Sequence, residues 1–161
     1  YTTSAKKTNI HLKTTQSFLL LQKKDNLTVS KKNLTFKTKN KPNNKVLEDM
    51  IFAFIVSKYI NSNAIVLVKN LATKGIGVGQ TSRLDSVQQA IKKMNKNFKI
   101  KSVVLASDGF FPFPDIIKLC ANNNVNSIIQ PGGSKNDDQV IEAANKNNIS
   151  VVFTGVRHFK H

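Results

Sequence analysis

The sequence predicts an α/β protein: a three-layer α/β/α arrangement around a mixed sheet whose C-terminal portion is a parallel βαβαβ run. Three observations carry that prediction. From Lys101 on, KSVVLAS, PDIIKLCANN, VNSIIQ, SKNDDQVIEAANKN and ISVVFTG read strand, helix, strand, helix, strand, joined by short links. The run NAIVLVK (63–69) is apolar without alternation, the pattern of a strand buried on both faces. All seven glycines lie after residue 74, and they gather in segments that follow expected strands.

Taken in order, NIHLKT, SFLLLQKK and NLTFKTK are short runs split by Lys, Asn and Ser, and they read as strands. The polar KNKPNNK (39–45) reads as a linker. It separates a strand-rich segment, 1–45, from an α/β/α portion, 46–161. In VLEDMIFAFIVSKYI (46–60), helical spacing places Leu47, Met50, Ile51, Phe54, Ile55 and Tyr59 on one stripe, so a helix with a buried face is expected. After the strand at 63–69 comes GIGVGQ, then TSRLDSVQQAIKKM, where Leu84, Val87, Ile91 and Met94 repeat at helical spacing.

Composition excludes several classes. No apolar run approaches the roughly 20 residues of a membrane span, and the N-terminus lacks the apolar core of a signal peptide. The single cysteine, Cys120, leaves no internal disulfide and no zinc-binding CxxC. A soluble, cytoplasmic chain is expected. The net charge of +16 comes from 23 Lys and 2 Arg against 9 acidic residues, and it travels with 19 Asn. Lys and Asn are spread through every segment, as a chain-wide compositional drift would spread them. A nucleic-acid surface would use Arg forks and stacked aromatics. Specific nucleic-acid binding is therefore not expected, although a non-catalytic basic module is the rival reading. Against a lysine background, Arg83 and Arg157 stand out, because a planar fork suits a phosphate, a carboxylate or an amide oxygen. An ordinary structural ion pair is the plainer account of either.

Four segments hold the glycines: GIGVGQTSR (75–83), SDGFFPFPD (107–115), QPGGS (130–134) and FTGVRHFKH (153–161). The last three fall beyond the carboxyl end of an expected strand, the edge at which open α/β sheets bind ligands. GIGVGQ departs from both GxGxxG and the P-loop pattern, so a phosphate loop and a glycine-rich strand or hairpin both stay open. Ser134 reads as a helix N-cap, and Ser107 and Asp108 as local caps. Pro112 and Pro114 exclude a regular strand or helix interior around Phe110, Phe111 and Phe113. Those rings are either core or a rigid aromatic wall for a flat heterocycle. His158 and His161 read as a surface tail. No Ser–His–Asp set or paired carboxylates can be assembled.

In this order the motifs SNAIVLVKN, GIGVGQTSRLDS, SDGFFPFPD, IQPGGSKNDDQVIEAA and FTGVRHFKH resemble the AICAR formyltransferase domain of the bifunctional purine biosynthesis family, in its C-terminal part. SAKKTNIHL, LLLQKKDNLTV and the helix ending KYINSNA fit as well, so the resemblance runs nearly end to end. It implies a cytidine-deaminase-like fold and an enzyme that transfers a formyl group from 10-formyltetrahydrofolate to the 5-amino group of AICAR. A second, hydrolase domain of the family cyclises the product to IMP, and the transformylase sites lie at a homodimer interface. Carried over by motif, Asn63 and Arg83 match the residues beside the reacting carboxamide and formyl groups. Phe110 matches the residue that packs near the aminoimidazole, and Arg157 matches the arginine that binds the nucleotide 5′-phosphate. Phe113, Pro112 and Ser134 match positions of the family's folate pocket. Ser62 and Asp108 lie near a potassium site.

The resemblance has two gaps. The family's catalytic Lys-His pair, in an S-x-K-H-x-N-P-type motif, has no counterpart here: SAKKTN lacks the histidine, and Ile10, not a lysine, stands directly before His11. The general acid/base is then expected from an upstream half of the same enzyme, and this chain is expected to be inactive alone. A decayed fragment that exposes a large apolar face is a third reading. Pro114 also stands where the family usually has Arg, which removes a cation from the folate end.

Overall fold

A computed structural model of the protein describes residues 9–160. The SAKKTN motif falls largely, and His161 wholly, outside the described residues. The centre is a six-stranded mixed sheet. Its strands, numbered along the chain, are β3 (Thr35–Phe36), β4 (Ile65–Lys69), β5 (Ala72–Gly77), β6 (Val103–Ser107), β7 (Val125–Gln130) and β8 (Ser150–Phe153). Their order across the sheet is β3-β8-β7-β6-β4-β5. β6, β7 and β8 are parallel, while β4 runs antiparallel to both β5 and β6, and β3 antiparallel to β8. The expected α/β class, mixed sheet and parallel βαβαβ portion are what the chain forms.

Helices cover both faces. Ile65, Leu67, Leu105, Ile128 and Val151 point to one side, into a core with α2 (Arg83–Asn97), α3 (Asp115–Ala121) and α4 (Asp137–Lys146). Val66, Val68, Val104, Ala106, Ile129 and Val152 point to the other, against α1 (Asn44–Ser57). Alternate side chains of one strand therefore enter two different cores, which is why 63–69 shows no polar alternation.

α1 starts at Asn44, before the expected Val46, because the Asn43 side chain accepts a hydrogen bond from Val46 N at 2.9 Å. Its buried face is Leu47, Asp49, Met50, Ala53, Phe54 and Ser57. Ile55 and Tyr59 are exposed, unlike the expected stripe: Ile55 turns away from the sheet and Tyr59 lies beyond the helix end. Asp49 is buried on that face, where its carboxylate accepts from Asn70 N at 2.9 Å and Leu71 N at 2.6 Å. It thereby closes the β4–β5 turn, whose two residues both have φ of 53°.

GIGVGQ is a strand. Gly77 ends β5, and a Cβ there would collide with the Ser86 carbonyl of α2, so glycine lets the helix lie directly on the sheet edge. Of the two alternatives, the hairpin with β4 is what Gly75 to Gly77 form. α4 begins at Asp137 with Asn136 at its N-cap position, so Ser134 is not the cap. Asp137 already accepts from Gly133 N and Ser134 N, and Ser134 Oγ accepts from Asn136 N.

The first two runs form a separate antiparallel hairpin, β1 (Ile10–Thr14) and β2 (Leu19–Lys23), exposed along its whole length. Residues 37–40 lie along β8 and the end of α4: Lys37 N donates to Val151 O, Asn40 Nδ2 to Asn148 O, and Val151 N to Thr38 Oγ1.

Candidate functional site

The carboxyl ends of β5, β6, β7 and β8 and the amino end of β4 share one rim. The pairing of Ile65 with both Gly77 and Ser107 fixes this, and Asp108 N donating to Ala64 O continues it. All four glycine-bearing segments meet there.

At its centre lies Arg83, the first residue of α2. One terminal nitrogen donates to Asp108 Oδ1 and to Ser107 Oγ at 2.9 Å, and the other donates to Asn63 Oδ1 at 2.9 Å. Asp108 is wholly buried and the Arg83 side chain is 9 % exposed, so this ion pair is fixed in a dry place. The other Asp108 oxygen accepts from Ser62 Oγ at 2.5 Å. Asn63 Nδ2 donates to Gln80 O at 2.9 Å, which ties β4 to the turn after β5. A Cβ at position 109 would collide with the Arg83 guanidinium, so Gly109 is what allows the fork its position. Ser62, Asn63, Arg83 and Asp108, spread over 46 residues of sequence, thus form one hydrogen-bonded cluster. Neither Ser107 nor Asp108 caps a helix, unlike the expectation: Ser107 Oγ accepts from Arg83 and donates to Gly109 O, and Asp108 is turned to Arg83 and Ser62.

The aromatic turn is split in its roles. Phe111 is fully buried core, Phe110 is half-buried, and Phe113 is 58 % exposed. Gln130 holds the turn by accepting from Phe111 N at 2.6 Å, and Asn136 Nδ2 donates to Pro112 O at 2.7 Å. The loop that carries Pro112 and Phe113 and the loop that carries Ser134 are therefore tied side by side. Gln130 Nε2 is buried beneath them without a hydrogen-bond partner.

Arg157 lies over the Phe110 ring, 4.5 Å from its centroid, with the Gly133 position beside its guanidinium. Its neighbour His158 is not a surface-tail residue, as the sequence suggested. It is 3 % exposed, its ring packs on Phe54 at 4.8 Å, and its Nδ1 hydrogen-bonds Asp25. A groove of about 440 Å³ runs between this tail and the end of β2, lined by Lys23, Lys24, Asp25, Asn26, Arg157 and Phe159 among others.

The structure thus brings together Asn63 with Arg83, Ser62 with Asp108, Phe110 with Arg157, and the loops of Pro112, Phe113 and Ser134. Sequence reading missed Gln130, Asn136, Asp25 and the burial of His158. Each acts through a contact between segments distant in the chain, which no local pattern records. Among the described residues no group of three or more His, Cys, Asp or Glu is placed to hold a metal, and no helix is long and apolar enough to cross a membrane.

A family model described as "AICARFT/IMPCHase bienzyme" matches residues 1–93. The chain is 50% identical over 150 residues to the bifunctional purine biosynthesis protein PurH of Thermoanaerobacter sp. (strain X514), which covers 93% of this chain and 29% of that protein. It is 47% identical over 150 residues to the PurH protein of Chlorobium phaeobacteroides, covering 92% and 29%. The chain therefore spans about 29% of the length of these relatives. Among solved structures, it is similar to a dCMP deaminase from the cyanophage S-TIM5 with a TM-score of 0.47 and 20% identity, covering 69% of this chain and 98% of that one.

Proposed function

The chain belongs to the AICARFT/IMPCHase bienzyme family, and from that premise we propose that it is part of a folate-dependent formyltransferase of purine biosynthesis, supplying nucleotide- and folate-pocket residues for formylation of AICAR by 10-formyltetrahydrofolate. The observation that carries the reading is the shared guanidinium: Arg83 hydrogen-bonds Asn63, the other residue assigned to the reacting carboxamide, while buried Asp108 fixes the fork.

The chemistry fits those groups. The amine of AICAR is a weak nucleophile, because its lone pair is delocalised into the ring and the carboxamide. Donors and acceptors that hold the carboxamide in one orientation align the amine for attack, and fixed N–H groups stabilise the oxyanion that forms. A guanidinium has five N–H groups, and three hydrogen bonds within the protein orient it. Neither Asn63 nor Arg83 can take the proton released by the amine, so the proposal places that step on the upstream Lys-His half. Arg157 receives the 5′-phosphate beside Phe110. Pro112, Phe113 and Ser134 wall the folate. A homodimer in the cytoplasm completes the reading. A potassium ion near Ser62 and Asp108 would share oxygens already engaged, since Asp108 accepts from both Arg83 and Ser62 Oγ, and no step is routed through it.

The test is formyl transfer from 10-formyltetrahydrofolate to AICAR by the chain alone and by the chain mixed with the Lys-His segment. Transfer in the mixture only is expected, and Arg83→Lys should lower its rate about 10²–10³-fold, the usual effect of losing one oriented donor. A folded chain that gives no transfer in the mixture sinks the proposal. If polyanions still bind equally to Arg83→Lys and Arg157→Lys, the basic-module reading takes its place.

A further inference from the structure

We infer that Asp25 and His158 form a latch that seats the C-terminal tail and aims Arg157, which makes both of them positioning residues for the phosphate end of the nucleotide. The inference deepens the reading of Arg157 given above and rests on it for the identity of the ligand.

Arg157 is exposed and stacks on Phe110, and a stacking contact at an exposed site is weak and does not by itself fix a long side chain. What fixes it is the backbone on either side. Gly155 N donates to Pro131 O at 3.1 Å, His158 N donates to Asp108 O at 3.1 Å, and Ser62 N donates to Lys160 O at 3.0 Å. Between these ties the one deeply buried side chain is His158, pinned by the Phe54 ring beneath it and by Asp25, which also lines the groove. Its neighbour is thereby turned outward, toward Phe110.

Asp25 is itself anchored. One carboxylate oxygen accepts from Leu27 N at 3.0 Å and lies 3.8 Å from Lys58 Nζ, and that ammonium also donates to Leu27 O at 2.8 Å. A carboxylate only accepts, so His158 Nδ1 carries the proton in this contact. The pair joins residues 133 apart in sequence. It holds the end of the hairpin against the tail, and Gln22 Nε2 donating to Phe159 O at 3.0 Å adds a second tie. The same contact sets Lys23 and Lys24 across the groove from Arg157; Asp25 lines it too, but its carboxylate is taken up by His158, Leu27 N and Lys58, so the three cations are what a phosphate there would meet. A histidine that merely filled the core would need only Phe54. The acceptor on the far segment is what makes it a latch.

The experiment compares the full chain with three variants. His158→Phe keeps an aromatic ring on Phe54 and removes the donor. Asp25→Ala removes the acceptor, should His158→Phe fail to fold. Asp25→Asn keeps a neutral acceptor. Arg157 side-chain protons, shifted upfield by the Phe110 ring, are followed by NMR, and AICAR nucleotide and its dephosphorylated nucleoside are titrated in parallel. The upfield shift should vanish in His158→Phe and Asp25→Ala and survive in Asp25→Asn. Nucleotide affinity should fall about 10-fold with the shift, the usual effect of one lost charge-assisted contact, while nucleoside affinity stays unchanged. In the reconstituted enzyme KM for the nucleotide should rise without a change in kcat. An Arg157 shift that persists in both disrupting variants overturns the latch. Loss of the shift in a chain that never binds nucleotide supports the latch and overturns the phosphate reading of Arg157.

Discussion

β2 and β4 are built from the same kind of sequence and end in opposite surroundings. Leu19, Leu20 and Leu21 are consecutive apolar residues, like Ile65 to Val68, and neither run alternates. Every side chain of Ile65–Val68 is fully buried, whereas Leu19, Leu20 and Leu21 are 56 %, 57 % and 64 % exposed. β4 has a strand on each side and helices on both faces. β2 has β1 alone, and a two-stranded ribbon is marginal without a covered face. The comparison teaches that a continuous apolar run asks for cover on both faces but does not supply it. The upstream half and second subunit proposed above are where such cover would come from. It also teaches where the site can be precise, since Asn63, Arg83 and Asp108 sit at strand and helix ends of the closed region.

The sharpest way to break that contrast is to cut one large apolar side chain from each region. Phe54→Ala empties a fully buried position under α1 and should cost about 3–5 kcal/mol of stability. Phe18→Ser, at a residue 74 % exposed, should stay within about 0.5 kcal/mol. Urea denaturation of both variants checks this. Equal effects would mean that the hairpin is packed in solution and that the two regions do not differ as described.

A smaller effect sharpens the account of the closed region. Asp49→Ala leaves Asn70 N and Leu71 N without their acceptor beneath the β4–β5 turn, at a cost of about 1–3 kcal/mol. Hydrogen exchange at those two amides should accelerate in the variant more than exchange in β6 does. Unchanged protection would show that the turn holds itself without α1.

These two residues also show how much was legible in the sequence. Phe54 falls on the helical stripe and reads as core from spacing alone. Asp49, one residue before Met50 on the same buried face, carries a charge that hydrophobic periodicity counts against burial, and its partners lie 21 and 22 residues away. The sheet was readable for the same reason as Phe54: periodicity is local, and the strand–helix alternation after Lys101 records it. The rim was readable because glycines and prolines mark it. The site cluster was readable only as separate motifs, since the contact of Arg83 with Asn63 and the contact of His158 with Asp25 depend on which strands become neighbours. The resemblance named most of the first set. It covered LLLQKKDNLTV but assigned no role to Asp25, whose partner His158 lies 133 residues away.

The smallest effect tests burial through a proton. Cys120 is fully buried in α3, and burial pushes its thiol well above the ordinary value of 9.0. The folded chain therefore keeps that proton at a pH where the unfolded chain gives it up. Because the folded value is the raised one, the contribution to stability is complete below pH 9.0 and falls as pH rises beyond it. The slope is about 1.4 kcal/mol per pH unit. Lysines and tyrosines titrate in the same range, so the wild-type chain by itself does not isolate the thiol. The difference between wild type and Cys120→Ala does: it should be constant from about pH 7 to 9 and narrow by about 1.4 kcal/mol at pH 10. A thiol reagent should likewise label Cys120 only as fast as the chain opens. Rapid labelling at neutral pH, with a pH-independent difference between the two chains, would place α3 on the loosely held side of the comparison, with the hairpin.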